Sequence, residues 1–361
     1  MKYLLNFIAA GFLIYLLSVF AGNVYNAKKA AKEARSGAVS KANKIIVRPE
    51  DGNGIQKAVD IASPGDTIEL LPGEYYQDVV TKKDGLKDQP ITIRGPKTAV
   101  IKGAGKPRIF EINHSYITLD GFTVDGHFKE ADEKSSYRDK LIYIIGIIPE
   151  KVMTNIKIVN LDLKNAGGEC VRLRYLIQNS EIAYNSILAC GISDFEFNDG
   201  GKNGEGVYIG TAPEQLKDGK NPTAKIDRSN NNWVHHNQFN TQGNECVDIK
   251  EGSSFNLIEN NRCTGQKDIN SGGMDSRGND NIFRYNEIYD NLGAGVRLGG
   301  DNKKDGINNQ VYGNKIINNQ SGGISFQRMP QGQICGNEMQ DNAKGNSVGS
   351  YGQDFHPEES C

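Results

Sequence analysis

The amino-acid sequence predicts an all-β protein, a single-stranded parallel β-helix, and three observations favour this fold. A phrase of alternating apolar residues followed by Asn recurs about every 25 residues after residue 150. No long helical patterns separate the repeats, as a parallel coil of short strands requires. The composition agrees, because 31 of the 37 asparagines follow residue 150 and Asn and Gly form helices poorly. Each turn of such a coil cannot bury its apolar edge alone, so successive turns must stack.

The repeated position is an Asn at the end of an alternating strand. Asn tolerates the left-handed backbone conformation, and its amide can hydrogen-bond the Asn of the next turn. We therefore expect a column of stacked asparagines at one corner of the coil. A β-sandwich with regular turns is the alternative, but the hairpin signals that it needs are scarce. The column comprises Asn160, Asn185, Asn237, Asn261, Asn286, Asn314 and Asn337.

A second column of strands precedes the asparagines and predicts where polar side chains meet. Period-two alternation points Val, Ile and Leu inward and leaves the intervening residues on the outer face. Stacked strands lie about 4.8 Å apart, so equivalent residues of successive turns should be neighbours. The alternative is a set of solvated charge ladders without a function. The register predicts one compact charged patch made of Glu205, Glu245, Asp248, Lys250, Asp275 and Arg277.

Two excursions interrupt the regular coil between Asn185 and Asn237. They fall near residues 195–204 and 211–231, within a single turn of 52 residues. Long loops inside a regular coil either shape a binding groove or are decoration. Because both excursions flank the second column, we expect them to border a groove.

The N-terminal half predicts the start of the same coil. A strand is expected at residues 45–48, followed by a short amphipathic helix at residues 54–62 that would cap the open end. Strands near residues 91–94, 100–101 and 116–124 continue the coil. We therefore expect one β-helix domain over residues 45–361.

The first residues predict export. An apolar run from Leu4 to Ala21 follows Lys2, as in a signal peptide. The run also reaches the lower length limit of a membrane span, so an uncleaved anchor attached to a membrane is the alternative. Residues 1–22 are then the leader or anchor, and residues 23–44 a solvated linker. Both versions predict a secreted or otherwise extracytoplasmic domain, which we expect to be a monomer.

Charge and cysteine content narrow the function. The net charge of −2 gives no indication of nucleic-acid binding through bulk positive charge. Six cysteines fit an oxidising compartment. Cys335 and Cys361 are placed to staple the C-terminal tail to the body, whereas others, Cys263 above all, are alternatively buried small hydrophobes.

The phrase at residues 65–75 (GDTIELLPGEY) and the Asn-punctuated coil resemble the right-handed parallel β-helix proteins of the pectate lyase-like superfamily. The resemblance covers nearly all of residues 45–345 and implies a right-handed, pectin lyase-like β-helix. It implies less about activity, because this fold hosts lyases, hydrolases, epimerases and inactive relatives.

A shorter stretch resembles polysaccharide lyase family six, the alginate and dermatan lyases. In that family a Glu precedes the catalytic Lys by five residues and a catalytic Arg lies one turn later, as Glu245, Lys250 and Arg277 do here. The resemblance implies that Lys250 is the base, Arg277 the acid or the carboxylate-stabilising partner, and Glu245 a calcium ligand. The sequence departs from the family at Gly243, where a second acidic ligand is expected, and at Gly278, where a His usually follows the Arg.

β-Elimination on a uronate-containing polysaccharide needs a neutralised sugar carboxylate, a base for the C5 proton and departure of the bridge oxygen from C4. Stacked carboxylates suit Ca²⁺, so Glu205 or Asn203 is expected to complete a calcium site with Glu245. Lys250 is the base if Arg277 and the ion lower its pKa, and Arg277 alternatively clamps the uronate carboxylate. The expected substrate contacts are Arg174, Tyr208, Asp248, Asp275 and Arg297.

The sequence therefore predicts a polysaccharide lyase acting on an anionic polysaccharide. A non-catalytic cell-surface β-helix that binds glycans is one alternative. A uronate C5-epimerase, which shares the proton abstraction but returns a proton to C5, is another. A polygalacturonase-type hydrolase is disfavoured, because the chain has no Gly-His-Gly and its one Arg-x-Lys, at residues 138–140, precedes the relevant turns.

Overall fold

The computed structural model describes residues 42–361, which form a right-handed parallel β-helix. The leader expected at residues 1–22 and nearly all of the linker expected at residues 23–44 lie outside the described residues. Within residues 42–361, no helix has both the length and the apolar character needed to cross a bilayer.

Three parallel sheets run the length of the coil, and ten successive turns each contribute one strand to every sheet. Sheet 1 has one additional strand at its N-terminal end and comprises Lys44–Val47, Thr67–Leu70, Ile91–Arg94, Ile117–Asp120, Lys157–Val159, Glu181–Ala183, Trp233–His235, Leu257–Glu259, Ile282–Arg284, Gln310–Tyr312 and Ile334–Cys335. Sheet 2 comprises Gly73–Tyr75, Ala99–Ile101, Thr123–Asp125, Asp162–Lys164, Ser186–Leu188, Gln238–Asn240, Arg262–Thr264, Glu287–Tyr289, Lys315–Ile317 and Glu338–Gln340. Sheet 3 comprises Val79–Val80, Arg108–Ile112, Lys140–Ile145, Val171–Arg174, Val207–Ile209, Val247–Ile249, Gly272–Ser276, Ala294–Leu298, Ile324–Phe326 and Ser347–Val348. Met153–Thr154 and Ile177–Gln178 form a separate pair.

Helical structure is sparse among the described residues. An α-helix forms over Gly54–Ile61, within the expected range, and packs Ile55, Ala58 and Val59 against the first strands of the coil. Its role as a cap stays a prediction. The remaining helical segments are one turn long: Pro49–Asp51, Lys134–Ser136, Ile192–Phe195, Pro213–Gln215 and Gly352–Asp354.

The core of the coil is a stack of apolar side chains. In sheet 3, Val171, Val207, Val247, Met274 and Val296 occupy equivalent positions on successive turns and are completely buried. This inward column follows the predicted alternation. Because a slip of one residue would turn the whole column outward, it fixes the register of the outer side chains as well.

Six of the seven predicted asparagines form a continuous hydrogen-bonded ladder inside the coil. From Asn237 onward, the Oδ1 of each ladder Asn accepts hydrogen bonds from the backbone N–H and the side-chain Nδ2–H of the Asn one turn earlier, at 2.9–3.0 Å. Asn160 was wrongly assigned to this ladder. The register aligns Leu161 with Asn185, and the Leu161 N–H donates to Asn185 Oδ1 at 2.8 Å, while Asn160 lies exposed one residue earlier. The ladder comprises Asn185, Asn237, Asn261, Asn286, Asn314 and Asn337.

The left-handed conformation belongs to the residue before each ladder Asn, so its assignment to the ladder residues was wrong. Tyr184, His236 and Tyr285 have φ of 58°, 54° and 55°, and each directly precedes a ladder Asn. The ladder Asn is thus selected for its hydrogen bonds. Two further ladders escaped the sequence analysis: Asn232–Asn256–Asn281–Asn309 and Gln266–Asn291–Asn319–Asn342.

Replacing Asn237 by alanine is expected to lower the free energy of unfolding by about 1–3 kcal/mol, because it leaves buried donors and acceptors on both neighbouring turns without hydrogen-bond partners. Its Nδ2–H groups also donate to the carbonyl of Ile182 at 2.8 Å. Denaturant unfolding measures the loss. The exposed neighbour Gln238 is the matched control, and its alanine variant should stay within about 0.5 kcal/mol of the parent. Equal midpoints for the two variants would contradict an energetic role of the ladder.

All six cysteines are paired, as Cys170–Cys190, Cys246–Cys263 and Cys335–Cys361. The last bond ties the C-terminal residue to sheet 1, as the sequence suggested. Cys263 is bonded and not a free buried hydrophobe. Cys170 directly follows Glu169, and Cys246 directly follows Glu245 of the charged patch. Two of the bonds therefore lie beside acidic residues at the start of sheet 3 strands.

Candidate functional site

The outer face of sheet 3 carries the predicted charged patch in the predicted register. The strand pairing aligns Tyr208 with Asp248, Asp248 with Asp275, and Asp275 with Arg297. Lys250 directly follows the aligned residue Ile249, and Arg277 follows its partner Ser276 on the next turn. The outer row therefore passes over four successive turns, about 14 Å along the coil axis.

A polar cleft of about 280 Å³ lies over these turns. Its floor includes Tyr208, Asp248, Lys250, Asp275 and Arg297. The two excursions border it, as expected: residues 201–203 come from the first and residues 214–215 from the second. Residues 268, 270 and 271 line the cleft as well, and the sequence analysis did not single out this segment.

Three carboxylates form a buried cluster at the cleft floor. One oxygen each from Glu205, Glu245 and Asp248 lies within 4.8 Å of the others, and each residue is at most 4% exposed. Oε2 of Glu245, Oδ1 of Asp248 and Oδ1 of the neighbouring Asn244 are buried without a hydrogen-bond partner. Unpaired carboxylate oxygens within one buried cluster are suited to a hard cation such as Ca²⁺. The sequence analysis expected Glu205 and Glu245 here but missed Asn244, which no repeat position marks.

The carboxylate cluster resists ionisation. Burial, together with the charges of Glu169 and Asp248, raises the pKa of Glu205 to about 7. Burial and the charges of Asp248 and Glu205 hold the pKa of Glu245 well above its ordinary value. Ser271 Oγ donates a hydrogen bond to Glu245 Oε1. In the absence of added positive charge, at least one carboxyl group therefore keeps its proton near neutral pH.

Lys250 extends over this cluster. Its Nζ lies 2.6 Å from Asp248 Oδ2 and 4.7 Å from the centre of the Tyr208 ring. Burial alone would lower the pKa of Lys250, but the charges of Asp248 and Glu245 outweigh it and hold the pKa well above its ordinary value. The expected lowering by Arg277 is therefore not what this arrangement produces. The lysine is an ammonium group as long as its carboxylate neighbours are not neutralised.

Tyr208 lies between two cations. The Cζ atom of the Arg172 guanidinium lies 3.6 Å from the centroid of the Tyr208 ring, and Lys250 Nζ lies 4.7 Å from it. Burial raises the pKa of the phenol well above its ordinary value, so Tyr208 is neutral and can donate a proton.

Two arginines reach the cleft with part of their side chains exposed. Arg277 Nε lies 2.8 Å from Glu251 Oε1, and its other end pairs with Asp301. Arg297 Nη1 donates hydrogen bonds to both carboxylate oxygens of Asp275, at 2.9 and 3.2 Å. About a fifth of each side chain is exposed, 21% for Arg277 and 22% for Arg297. Both are positioned to meet an anion that enters the cleft.

Arg174 does not line the cleft, in contrast to its expected substrate contact. Its guanidinium is buried beneath the second excursion, where it donates to Asn221 Oδ1 and Asp218 Oδ1, both at 2.6 Å. The row position predicted from the sequence is correct. The excursion that covers the residue could not be placed from spacing alone.

Comparisons with known proteins bear on the fold. No family model matches the sequence, and no curated protein matches it. Among solved structures, an alginate lyase from Paenibacillus sp. str. FPU-7 is similar with a TM-score of 0.64 and 19% identity, over 84% of this chain and 99% of that one. Pectate lyase Pel9A has a TM-score of 0.52 and 16% identity, over 82% and 78% of the two chains. A GH136 lacto-N-biosidase from Eubacterium ramulus has a TM-score of 0.52 and 13% identity, over 88% and 70%. The chain thus has the pectate lyase-like β-helix fold.

Proposed function

We propose that this protein is a polysaccharide lyase that cleaves a uronate-containing polysaccharide by β-elimination in the sheet 3 cleft. The observation that carries the proposal is the convergence of Lys250 and the Tyr208 phenol beside a buried carboxylate cluster. The guanidinium groups of Arg277 and Arg297 enter the same cleft. The similarity in fold to an alginate lyase and a pectate lyase agrees with this proposal.

The reaction assigns a base and an acid to the cleft. A base removes the proton on C5 of the uronate, the electrons of that C–H bond form the C4–C5 double bond, and the C4–oxygen bond breaks. The leaving oxygen then takes a proton. Lys250 is the base, because it is the one amine among the cleft residues next to the carboxylate cluster that can lose its proton when neighbouring charge changes. Tyr208 is the nearest neutral proton donor.

The carboxylate cluster fits a calcium ion. Glu205, Glu245 and Asp248 would hold it through carboxylate oxygens. Asn244, which lines the cleft and has an unpaired buried amide oxygen, would be a further ligand. When bound, the ion would supply positive charge that neutralises the uronate carboxylate and acidifies its C5 proton. Because the negative charges of these carboxylates raise the pKa of Lys250, their neutralisation by the ion would lower that pKa.

The arginines are assigned to substrate binding. The charges of Glu251 and Asp248 raise the pKa of Arg277 above its ordinary value despite burial, so this residue keeps its charge. A permanent guanidinium suits the capture of a uronate carboxylate better than proton donation. Asp248 and Asp275 orient the two cations Lys250 and Arg297, with which they form ion pairs.

Incubation with a panel of alginate, pectate and dermatan tests the proposal, because β-elimination creates a 4,5-unsaturated uronate that absorbs in the ultraviolet. We expect absorbance to rise with at least one polymer and to depend on calcium. An epimerase would change the ratio of C5 isomers without creating absorbance, and a binding protein would retain the polymer unchanged. Either result would contradict the lyase assignment.

We further propose that the protein acts outside the cytoplasm. Three disulfide bonds support this location, because such bonds persist in oxidising compartments.

A further inference from the structure

The second excursion lies across the outer face of sheet 3 and ends the cleft on its N-terminal side. Gln215 Oε1 accepts a hydrogen bond from Arg172 at 2.7 Å, and the Gln215 carbonyl accepts one from Arg174 at 3.2 Å. Asp218 pairs with the same Arg174 guanidinium. The excursion therefore covers the turn directly before the one that carries Tyr208.

The cations along this face divide into a covered and an accessible pair. Side chains of Arg172 and Arg174 are each 3% exposed beneath the excursion. Those of Arg277 and Arg297, on the C-terminal side, are 21% and 22% exposed. Among these four arginines, an anionic chain lying in the cleft thus meets accessible guanidinium groups on the C-terminal side only.

The base of the excursion is held firmly in place. Asp227 accepts hydrogen bonds from the backbone N–H groups of Tyr175 and Leu176 at 2.6 and 2.9 Å, and from the Thr211 hydroxyl at 2.7 Å. Asp227 is 1% exposed. Because this carboxylate joins the two ends of the excursion to the preceding turn, the covering segment is a built wall of the cleft.

Beyond the excursion, the outer face opens again into a separate depression. It is lined by Lys106, Arg108 and Glu111, and by Lys220 from the far side of the same excursion. Tyr143, which lies in the row between Glu111 and Arg172, is 1% exposed. The row is therefore closed over the turns of Tyr143 and Arg172, and the two depressions do not share a floor.

We propose that the cleft binds an end of the anionic polysaccharide, so that cleavage releases short products from a chain end. This inference rests on the proposed function and adds the way in which the substrate is held. A polymer running through the site along the outer row of sheet 3 would have to pass over the turn that the excursion covers. A chain end needs only the open side beside Arg277 and Arg297.

Two measurements test the inference. During cleavage, we expect short unsaturated saccharides to accumulate while the polymer keeps its high mass in size-exclusion chromatography. With the Lys250→Ala variant, which is expected to bind the polymer and to cleave it about 10²–10⁴ times more slowly, the number of proteins bound per polymer molecule should stay constant as chain length increases. An early loss of polymer mass, or a number of bound proteins that increases with chain length, would contradict the inference that the cleft binds chain ends. Neither result would contradict the proposed lyase activity. Absence of both cleavage and binding across the panel would contradict the proposed function together with this inference.

A loop variant provides the converse test. Replacement of residues 213–221 by a short glycine linker, with Thr211 and Asp227 retained, is expected to raise the loss of polymer mass per double bond formed several-fold. Gln215→Ala is a milder variant for the case in which the deletion variant does not fold. It should also raise the ratio of polymer mass lost to double bonds formed. Lys217→Ala, at an exposed position of the same excursion, is the matched control and should leave the ratio unchanged. An unchanged ratio in a folded deletion variant would overturn the inference.

Discussion

Replacing Lys250 by alanine is expected to lower the rate of β-elimination by a factor of about 10²–10⁴, the range for loss of a general base. The ammonium group lies 2.6 Å from Asp248 and beside the Tyr208 ring, and no other lysine among the described cleft residues adjoins the carboxylate cluster. Initial rates of absorbance increase on the polymer that responds best measure the effect. An unchanged rate would remove the assignment of the base.

Two further variants separate chemistry from structure. Lys250→Arg keeps the positive charge but cannot act as a base near neutral pH, so it should be as inactive as the alanine variant. Lys267→Ala removes an exposed lysine paired with Glu196 and should retain activity. Without calcium, loss of the buried Lys250–Asp248 ion pair is expected to lower the free energy of unfolding of the alanine variant by about 3–5 kcal/mol. Thermal unfolding must therefore show that each variant is folded before the rates are compared.

The prediction of the fold succeeded where spacing alone decides the outcome. A coil repeats its backbone at a fixed distance, so residues that recur every turn must stack, and the inward column from Val171 to Val296 follows directly. The same register correctly placed Tyr208, Asp248, Asp275 and Arg297 in one outer row. The Asn160 position failed, because its phrase matches the repeat but lies one residue out of register. The left-handed conformation was assigned one residue too late for a similar reason, because spacing does not show which residue of the corner adopts it.

The parts of the site that spacing does not determine were missed. Arg174 occupies its predicted row, yet a segment more than 40 residues later in the chain folds over it. Ser271 hydrogen-bonds Glu245, and Asn244 lines the cleft, from segments that lie outside the repeated strands. The raised pKa of Lys250 is equally hidden from sequence, because it depends on how closely three carboxylates are buried around one ammonium group. Periodicity predicts the scaffold, whereas burial and loop packing set the chemistry.

Calcium is expected to stabilise the protein against thermal unfolding, and the stabilisation is expected to be larger near pH 8 than near pH 5. Metal ligands must be deprotonated, so binding at Glu205 and Glu245 has to expel the protons that burial retains there. At low pH this displacement opposes binding, whereas at high pH the carboxylates are already ionised and repel one another until a cation joins them. Thermal unfolding in calcium chloride and in a chelator, at both pH values, measures the difference.

The metal-free protein should show the opposite dependence on pH. Glu205 has a pKa of about 7 in the folded state and an ordinary value of 4.5. Between these values the folded state binds more protons than the unfolded state, so stability falls as pH rises, by at most about 1.4 kcal/mol per pH unit for each such proton. This contribution is fully present below the unfolded value and is lost progressively as pH rises towards and beyond the folded value.

The Glu205→Gln variant tests both dependences at once. Glutamine cannot ionise, so the metal-free variant should lose part of the decline in stability above pH 5, and its calcium response should be weakened together with that of Glu245→Gln. Glu196→Gln changes an exposed carboxylate paired with Lys267 and should behave as the parent protein. Calcium that stabilises Glu205→Gln and Glu245→Gln as strongly as the parent would mean that the ion binds elsewhere, and the three buried carboxylates would then serve only to hold the Lys250 proton.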